Sequence, residues 1–173
     1  MTSGPSGQPA RPWLGVRRVP GRLALRVFRA PLWLYRHDKG WMLGRTFLML
    51  VHVGRRSGQT YQTVAMVVAD DRDTGEVVIL SAWGPGADWL ENLHAGPARE
   101  VQIGRDRFEP EHRFVDSDEA FAVGVAFRRR HPRRLRLISA ILGWGDMRND
   151  DVLRQFVHDH PIVALRPAHA ICN

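Results

Sequence analysis

The stretch Val53-Gly54-Arg55-Arg56-Ser57-Gly58 lies between an apolar run at residues 47–51 and a second extended segment at residues 61–69. Two glycines four positions apart allow a tight turn that exposes successive backbone N–H groups. The arginines and the serine between them add donors suited to phosphate or carboxylate oxygens. Strand, basic glycine turn and strand therefore predict a cradle for an anionic cofactor, although a plain hairpin with solvated arginines would show the same pattern.

A second informative stretch, at residues 81–97, combines a glycine-rich loop with a short helix. Asp88 and Glu91 have the spacing of a capping box, which marks the start of a helix. Gly96-Pro97 supplies the stop. Together these signals predict a helix over residues 89–95.

The predicted helix carries an aromatic ring and an amide on the same face. Trp89, Asn92 and Leu93 share that face because residues three and four apart are neighbours on a helix. With Trp83 in the preceding loop, this face could stack on and hydrogen-bond a flat heterocycle. The alternative is that both tryptophans simply fill space in the core.

The two stretches together form a recognisable pattern. Gly-Arg-Arg-Ser-Gly-Gln, then Trp-Gly, then Asp-Trp-x-x-Asn-Leu-x-Ala-x-Pro resembles the deazaflavin-dependent nitroreductase and quinone reductase family, and the resemblance spans residues 30–166. It implies an α+β fold, namely a split β-barrel of mainly antiparallel strands with peripheral helices, like the FMN-binding barrels. It also implies coenzyme F420 (an 8-hydroxy-5-deazaflavin) as the cofactor, with FMN the less suitable one.

The same resemblance implies the cofactor contacts and the reaction. The residues it assigns are Gly54, Arg55, Arg56, Ser57 and Gly58 to the phosphate and acidic tail, and Trp83, Gly84, Trp89 and Asn92 to the ring. The implied reaction passes a hydride from reduced F420 to a small electrophile: a quinone, a nitro compound or a conjugated carbonyl. No catalytic proton donor stands out, and no metal site is expected, because His158-Asp159-His160 with His169 is a weak ligand set.

Two departures from the family pattern bear on the acceptor. Relatives often carry Pro-Arg after the turn, where this chain has Thr60-Tyr61, so a cofactor-gripping arginine is replaced by a tyrosine. Nitroimidazole-reducing members carry tyrosines near the C-terminal helix, whereas residues 130–137 contain none. Reduction of bicyclic nitro compounds is therefore not expected. A cofactor- or lipid-binding barrel without turnover is the main alternative to a reductase.

Composition indicates one ordinary soluble domain of 173 residues. The single cysteine, Cys172, excludes a disulfide framework or a cysteine metal site within one chain. No run approaches the roughly 18 apolar residues that span a bilayer. Arginines interrupt the N-terminal region where a signal peptide would be apolar, so a cytoplasmic location is expected.

Positive charge is concentrated near the N-terminus. Residues 1–58 contain ten arginines, Lys39 and Asp38 for a net charge of +10, whereas residues 59–173 carry a net charge of −3. Such an asymmetry predicts an anionic partner. Nucleic acid is not expected to be that partner, because aromatic residues do not interleave with the basic strands.

Three parts are predicted: a disordered tail at 1–12, an amphipathic helical segment at 13–46 and the barrel domain at 47–173. Within the second part, residues 21–36 place arginines on one side of a helical wheel and apolar residues towards the other. This segment either packs over the barrel with its arginines solvated or lies on an anionic membrane surface at the inner face of the cell membrane. A lipid-soluble quinone would give the second arrangement a purpose.

The remaining pattern predicts the secondary structure. Strands are expected at 47–53, 60–69, 76–82, 98–103, 107–115 and 162–166, and helices at 117–130, 133–142 and 150–159. Ser117 is the predicted cap of its helix, whose last turn contains three arginines at 128–130. These arginines complement the helix dipole, so they need no nucleic-acid partner to explain them.

Overall fold

The structure is a computed structural model that describes residues 33–35, 37, 39–82 and 84–168. Its strands are β1 (Phe47–Val53), β2 (Thr60–Asp70), β3 (Val77–Leu80), β4 (Ala98–Ile103), β5 (Asp106–Phe108), β6 (Pro110–Phe114) and β7 (Ile162–Pro167). Its helices are α1 (Asp88–Ala95), α2 (Ser117–Arg130), α3 (Pro132–Leu142) and α4 (Asp150–Asp159), with a 3-10 turn at Gly40–Leu43. These bounds agree closely with most of the predicted elements.

The strands form one antiparallel sheet in the order β5-β4-β1-β2-β3-β7-β6. The sheet curls until β6 comes close to β4, although the two strands are well separated in the strand order. A nearly closed antiparallel barrel with helices outside it results. The predicted fold class, an α+β split β-barrel, is confirmed.

The barrel interior is filled by alternate side chains of its strands. Leu48 and Leu50 of β1 are fully buried there, together with Val101 of β4 and Leu165 of β7. Each fully buried aliphatic side chain contributes about 1.5–3 kcal/mol relative to an exposed one. Helix α1 adds its own apolar face to this core, which fixes the helix at the end of β1.

A second core lies on the outer face of the sheet, beneath α2 and α4. Val78 and Leu80 of β3 contact this core, whereas Val77 and Ile79 face the barrel interior. All four residues of β3 are therefore buried. Burial on both faces explains why this strand is continuously apolar rather than alternating.

The predicted strand at 107–115 is wrong as a single element. β5 pairs with β4, whereas β6 pairs with β7, so the chain leaves one edge of the sheet and joins the other at Glu109. Pro110 begins β6 and has no N–H to continue the earlier ladder. The predicted strand at 76–82 is also shorter, because Ser81 donates its hydroxyl to the Gly84 carbonyl in a turn at 2.7 Å.

The cap predicted at Ser117 is wrong by one residue. Asp116 caps α2, because its Oδ1 accepts hydrogen bonds from the backbone N–H groups of Asp118 at 3.0 Å and Glu119 at 2.9 Å. Ser117 is the first residue of the helix instead. Both residue types favour cap positions, so the direction of the incoming chain decides between two adjacent candidates.

The predictions for the N-terminal region fall largely outside the described residues. The tail at 1–12 and most of the segment at 21–36 lie outside the described residues. Tyr35 is described and buried, and its hydroxyl donates to the Phe47 carbonyl at 2.7 Å. Burial raises the pKa of Tyr35 to about 12. This contact holds the chain just before the barrel against the first residue of β1.

Candidate functional site

A cleft of about 480 Å³ opens between the turn after β1 and the start of α1. Its walls come from β1, β2, the turn between them and α1. They are formed by His52, Gly54, Arg55, Arg56, Ser57, Tyr61, Gln62, Thr63, Ala87, Asp88, Trp89 and Asn92. Side chains from both stretches singled out in the sequence therefore share one cavity, of a size typical for small-molecule ligands.

The turn is held by its own backbone. The N–H of Gly54 donates to the Gln59 carbonyl at 2.8 Å, and the N–H of Gly58 donates to the Gly54 carbonyl at 2.8 Å. Gly58 has φ +65°, a conformation that favours glycine. Because these bonds close the turn, Arg55, Arg56 and Ser57 are held at its tip, along the rim of the cleft.

Asn92 ties this turn to α1. Its side-chain oxygen accepts from the Arg55 backbone N–H at 3.0 Å and from Arg55 Nη1 at 3.1 Å. Its amide nitrogen lies 3.0 Å from His52 Nδ1. Asn92 is only 6 % exposed and His52 only 4 %, so the hydrogen bond between them is buried, whereas the two bonds to Arg55 are partly buried. A buried hydrogen bond is costly to lose.

The orientation of the Asn92 amide fixes the tautomer of His52. Two Arg55 donors occupy the amide oxygen, so the amide NH₂ must face His52. His52 Nδ1 is then the acceptor, and a neutral ring carries its proton on Nε2. Burial lowers the pKa of His52, against a smaller opposing effect from the Asp88 carboxylate, and this keeps the ring neutral.

We expect stability to depend on pH through His52. Since the pKa of His52 is lowered by folding, the unfolded chain takes up the proton first as the pH falls. The contribution of neutral His52 to the free energy of unfolding is fully present above about pH 6.5 and is lost as the pH falls below that value. The pKa values of His131 and His160 are lowered as well, so the effect of His52 must be isolated by a variant.

Urea unfolding of the wild type and of His52→Gln at pH 7.5 and pH 5.5 measures this contribution. The wild type should lose more unfolding free energy between the two pH values than the variant does. Equal losses in the two proteins would show that His52 is not among the groups whose titration is linked to folding.

Asp88 does not cap α1, which corrects the predicted capping box. Ala87 occupies the cap position and no side chain accepts a bond there. Asp88 is the first helical residue, and its carboxylate lies 3.4 Å from Arg55 Nη1. Its side chain is 92 % exposed, so this ion pair is weak and leaves the Arg55 guanidinium available to a ligand.

Tyr61 forms an aromatic wall beside the turn. Its hydroxyl lies 3.1 Å from Ser57 Oγ, and its ring stacks towards His52 with centroids 6.0 Å apart. The two rings face each other because His52 and Tyr61 are cross-strand partners in β1 and β2. The tyrosine that stands in place of the family's arginine therefore lies within the cleft itself.

The structure brings six of the nine predicted site residues into the cleft: Gly54, Arg55, Arg56, Ser57, Trp89 and Asn92. Gly58 supports the turn without lining the cleft. Gly84 does not line it either: it lies beside α4, where an added Cβ would be 3.3 Å from the Asp159 carbonyl oxygen. Trp83 lies outside the described residues, so its role and that of Gly84 stay predictions.

Among the other lining residues, His52 was missed in the sequence, and Tyr61 was noted only as the replacement of an arginine. One signal could have found them. Residues that pair across a hairpin point to the same side of the sheet, so His52 two positions before Gly54 and Tyr61 three positions after Gly58 belong to the same wall. The contact between His52 and Asn92 has no comparable local signal.

The chain is similar to known proteins in both sequence and structure. A sequence model of the F420H(2)-dependent quinone reductase family matches residues 27–132. The chain is also similar to solved structures, among them an F420-H2 dependent reductase (FDR-A), with 14 % identity, a TM-score of 0.47 and coverage of 71 % of this chain and 96 % of that one. No protein with a curated description matches.

The chain is also similar to two further solved structures. The heme storage protein HutZ of Vibrio cholerae has 17 % identity and a TM-score of 0.45, covering 79 % of this chain and 92 % of its own. A pyridoxamine 5'-phosphate oxidase-related, FMN-binding protein of Nostoc punctiforme has 14 % identity and a TM-score of 0.45, and the match covers 86 % of this chain and 81 % of that one. These likenesses are too distant to indicate a function by themselves.

Proposed function

This chain belongs to the F420H2-dependent quinone reductase family, and from that membership we propose that its cleft binds reduced coenzyme F420 for hydride transfer to a quinone or another small electrophile. It is an oxidoreductase that uses coenzyme F420. The main support for the proposed site is that the basic turn lies beside α1. Arg55 and Arg56 of the turn therefore line the same cavity as Trp89 and Asn92 of the helix.

The residues of the cleft fit a cofactor with an anionic arm and a flat ring. Arg56 has no ion-pair partner within the described part of the chain, and Arg55 has only the exposed Asp88. Both guanidinium groups can therefore bind phosphate or carboxylate oxygens. Trp89 and Tyr61 offer aromatic faces to a heterocycle.

The protein's own contribution is to hold the cofactor, to orient its ring and to shield it from water. Bound reduced deazaflavin supplies the hydride. Arg55 is fixed by Asn92, so its guanidinium is already oriented before a ligand arrives, which reduces the entropy lost on binding. Trp89 is only 8 % exposed, and it shields the inner wall of the cleft from water.

Turnover distinguishes the proposed reductase from a binding protein that has lost activity. Reduced F420 is mixed with the protein and a soluble quinone, and oxidation of the deazaflavin is followed by absorbance. We expect oxidation that depends on both protein and quinone. Tight binding without quinone-dependent oxidation would instead favour the cofactor- or lipid-binding barrel.

Gly54→Ala is expected to weaken F420 binding by about tenfold, or roughly 1.4 kcal/mol. An added Cβ would lie 2.5 Å from a ring carbon of Tyr61 and 2.7 Å from Ser57 Oγ. These side chains would have to shift, and both of them line the cleft. Gly86→Ala is the matched control, because a Cβ there meets nothing within 4 Å.

Fluorescence titration of oxidised F420 with both variants makes this comparison. Equal affinities for Gly54→Ala and Gly86→Ala would show that the ligand does not use the space beside Tyr61. A loss confined to Gly54→Ala places the ligand against the turn.

We also propose that three exposed apolar side chains before and beside the barrel, called the patch below, contact an anionic membrane surface. Trp33, Trp41 and Met42 are 53 %, 51 % and 60 % exposed. Lys39 lies over the Trp33 ring and Arg105 over the Trp41 ring, at 5.9 and 5.7 Å. Exposed tryptophans flanked by cations suit the headgroup region of an anionic bilayer. In the described part of the chain, no helix is long and apolar enough to cross one.

Co-sedimentation with vesicles tests this contact. The wild type should bind vesicles rich in phosphatidylglycerol and should bind pure phosphatidylcholine vesicles several-fold less, because cations flank the patch. Trp41→Ser/Met42→Ser should reduce binding several-fold. Leu137→Ser is the control, since Leu137 is 61 % exposed but belongs to α3. Equal loss in both variants would rule out a specific patch.

A further inference from the structure

His52 is a buried titratable side chain in the wall of the cleft. It lies on β1, two residues before Gly54, and is 4 % exposed. Its Nδ1 is occupied by the amide of Asn92 at 3.0 Å, and its ring stacks towards Tyr61. The ring therefore has a fixed position between α1 and β2.

The second ring nitrogen of His52 is Nε2, on the other side of the ring from the nitrogen that Asn92 occupies. Among the described residues, no group accepts a hydrogen bond from Nε2. His52 itself lines the cleft, so a ligand bound in the cleft can supply that acceptor.

We propose that His52 Nε2–H donates a hydrogen bond to the heterocycle bound in the cleft, at a carbonyl oxygen or ring nitrogen on the edge of the deazaflavin. This assignment rests on the proposed function for the identity of the ligand. The tautomer it requires follows from Asn92, whose oxygen is held by Arg55 and whose NH₂ therefore faces Nδ1. A neutral donor suits a neutral acceptor atom in a dry pocket, because no charge has to be buried.

The same contacts couple the two ends of the ligand site. Arg55, which contacts the anionic arm, and His52, which contacts the ring, are bonded to the same amide of Asn92. Protonation of His52 would place an N–H on Nδ1 against the NH₂ of Asn92. The amide could then satisfy either Arg55 or His52 but not both.

The charged and titratable groups around His52 are Arg55 from the turn, Tyr61 from β2 and Asp88 from α1. Of these, Asp88 favours a charged imidazole, and its side chain is 92 % exposed and screened by water. His52 therefore serves the site in its neutral form at neutral pH.

Nitrogen NMR on protein labelled at histidine tests the tautomer directly. In the free protein at pH 7.5, His52 should show an unprotonated Nδ1 and a protonated Nε2, with the signal assigned by its absence from His52→Gln. Saturation with oxidised F420 should move the Nε2–H proton signal downfield. A protonated Nδ1, or an Nε2–H signal unchanged at saturation, would overturn the assignment.

Two variants separate the donor from mere space-filling. His52→Gln keeps an N–H donor, whereas His52→Phe keeps the volume of the ring without it. We expect His52→Phe to weaken F420 binding roughly tenfold and His52→Gln to retain most of the affinity. Thermal unfolding confirms that both variants fold, and wild-type affinity in folded His52→Phe would contradict the proposal.

The outcome also separates this inference from the proposed function. Absence of F420 binding to the wild type would refute the proposed function, and the ligand contact with it. Binding that leaves the Nε2–H signal unchanged would refute only the role of His52.

Discussion

Replacement of Arg55 and Arg56 together by alanine is expected to weaken F420 binding by two orders of magnitude or more. Hydrogen bonds to charged groups contribute about 1.5–3 kcal/mol each, and every 1.4 kcal/mol is roughly a tenfold change in affinity. Both side chains line the cleft, and the Arg55 guanidinium is already bonded to Asn92 Oδ1 at 3.1 Å. Fluorescence titration of oxidised F420 measures the loss, which should shrink at higher salt as the charges are screened.

A second double variant controls for net charge. Arg72→Ala/Arg148→Ala removes the same charge from side chains that are 67 % and 77 % exposed and do not line the cleft. This variant should bind F420 within about twofold of the wild type, because distant exposed charges are screened. A similar loss in both double variants would mean that overall charge, rather than the turn, attracts the cofactor.

Replacement of Asn92 by leucine is expected to lower the unfolding free energy by about 2–4 kcal/mol and to abolish measurable F420 binding. Leucine has a similar volume but leaves two groups without their partner: the Arg55 backbone N–H in a partly buried setting and His52 Nδ1 in a buried one. A buried polar group that loses its only partner costs about 1–3 kcal/mol. Urea unfolding and the same fluorescence titration measure the two effects.

Gln155→Leu provides the comparison for Asn92→Leu. Gln155 is an exposed amide on α4 that bonds Asp159, so its loss should change stability by less than about 0.5 kcal/mol. Asn92→Asp is informative in another way. It keeps an acceptor for Arg55 but turns a carboxylate oxygen towards His52, which should raise the pKa of the imidazole. Wild-type stability and binding in Asn92→Leu would contradict the role given to this amide.

Local patterns in the sequence were sufficient to predict most of the strands and helices of the fold. The apolar run of β1 and the uninterrupted apolar residues of β3 predicted strands, because a short apolar run suits a strand that is largely buried on both faces. The αL glycine at Gly143, with φ +69°, ends α3 where the sequence predicted a stop. These features depend on neighbours within a few positions.

Features that depend on the direction of the chain were predicted less well. Asp116 and Ser117 are equally suited to cap α2, and Asp88 is as good a cap residue as any, yet Ala87 holds that place in α1. The break at Glu109 follows from the loss of an N–H at Pro110, which a pattern of alternating residues does not reveal.

In the candidate site, the resemblance indicated the turn and α1, and the geometry added the contacts between them. His52 and Asn92 are forty positions apart, and their hydrogen bond exists only because α1 packs its apolar face into the barrel at the end of β1. The replacement of an arginine by Tyr61 was visible in the sequence. Its consequence, an aromatic wall against His52, required the pairing of β1 with β2.

The most direct test of the central claim is titration of the purified wild-type protein with oxidised coenzyme F420, followed by fluorescence, with FMN titrated in parallel. Saturable binding at micromolar concentration, with FMN bound more weakly, is the predicted result. Absence of saturable F420 binding, with FMN or lipid bound instead, would contradict the assignment of this cleft to the deazaflavin.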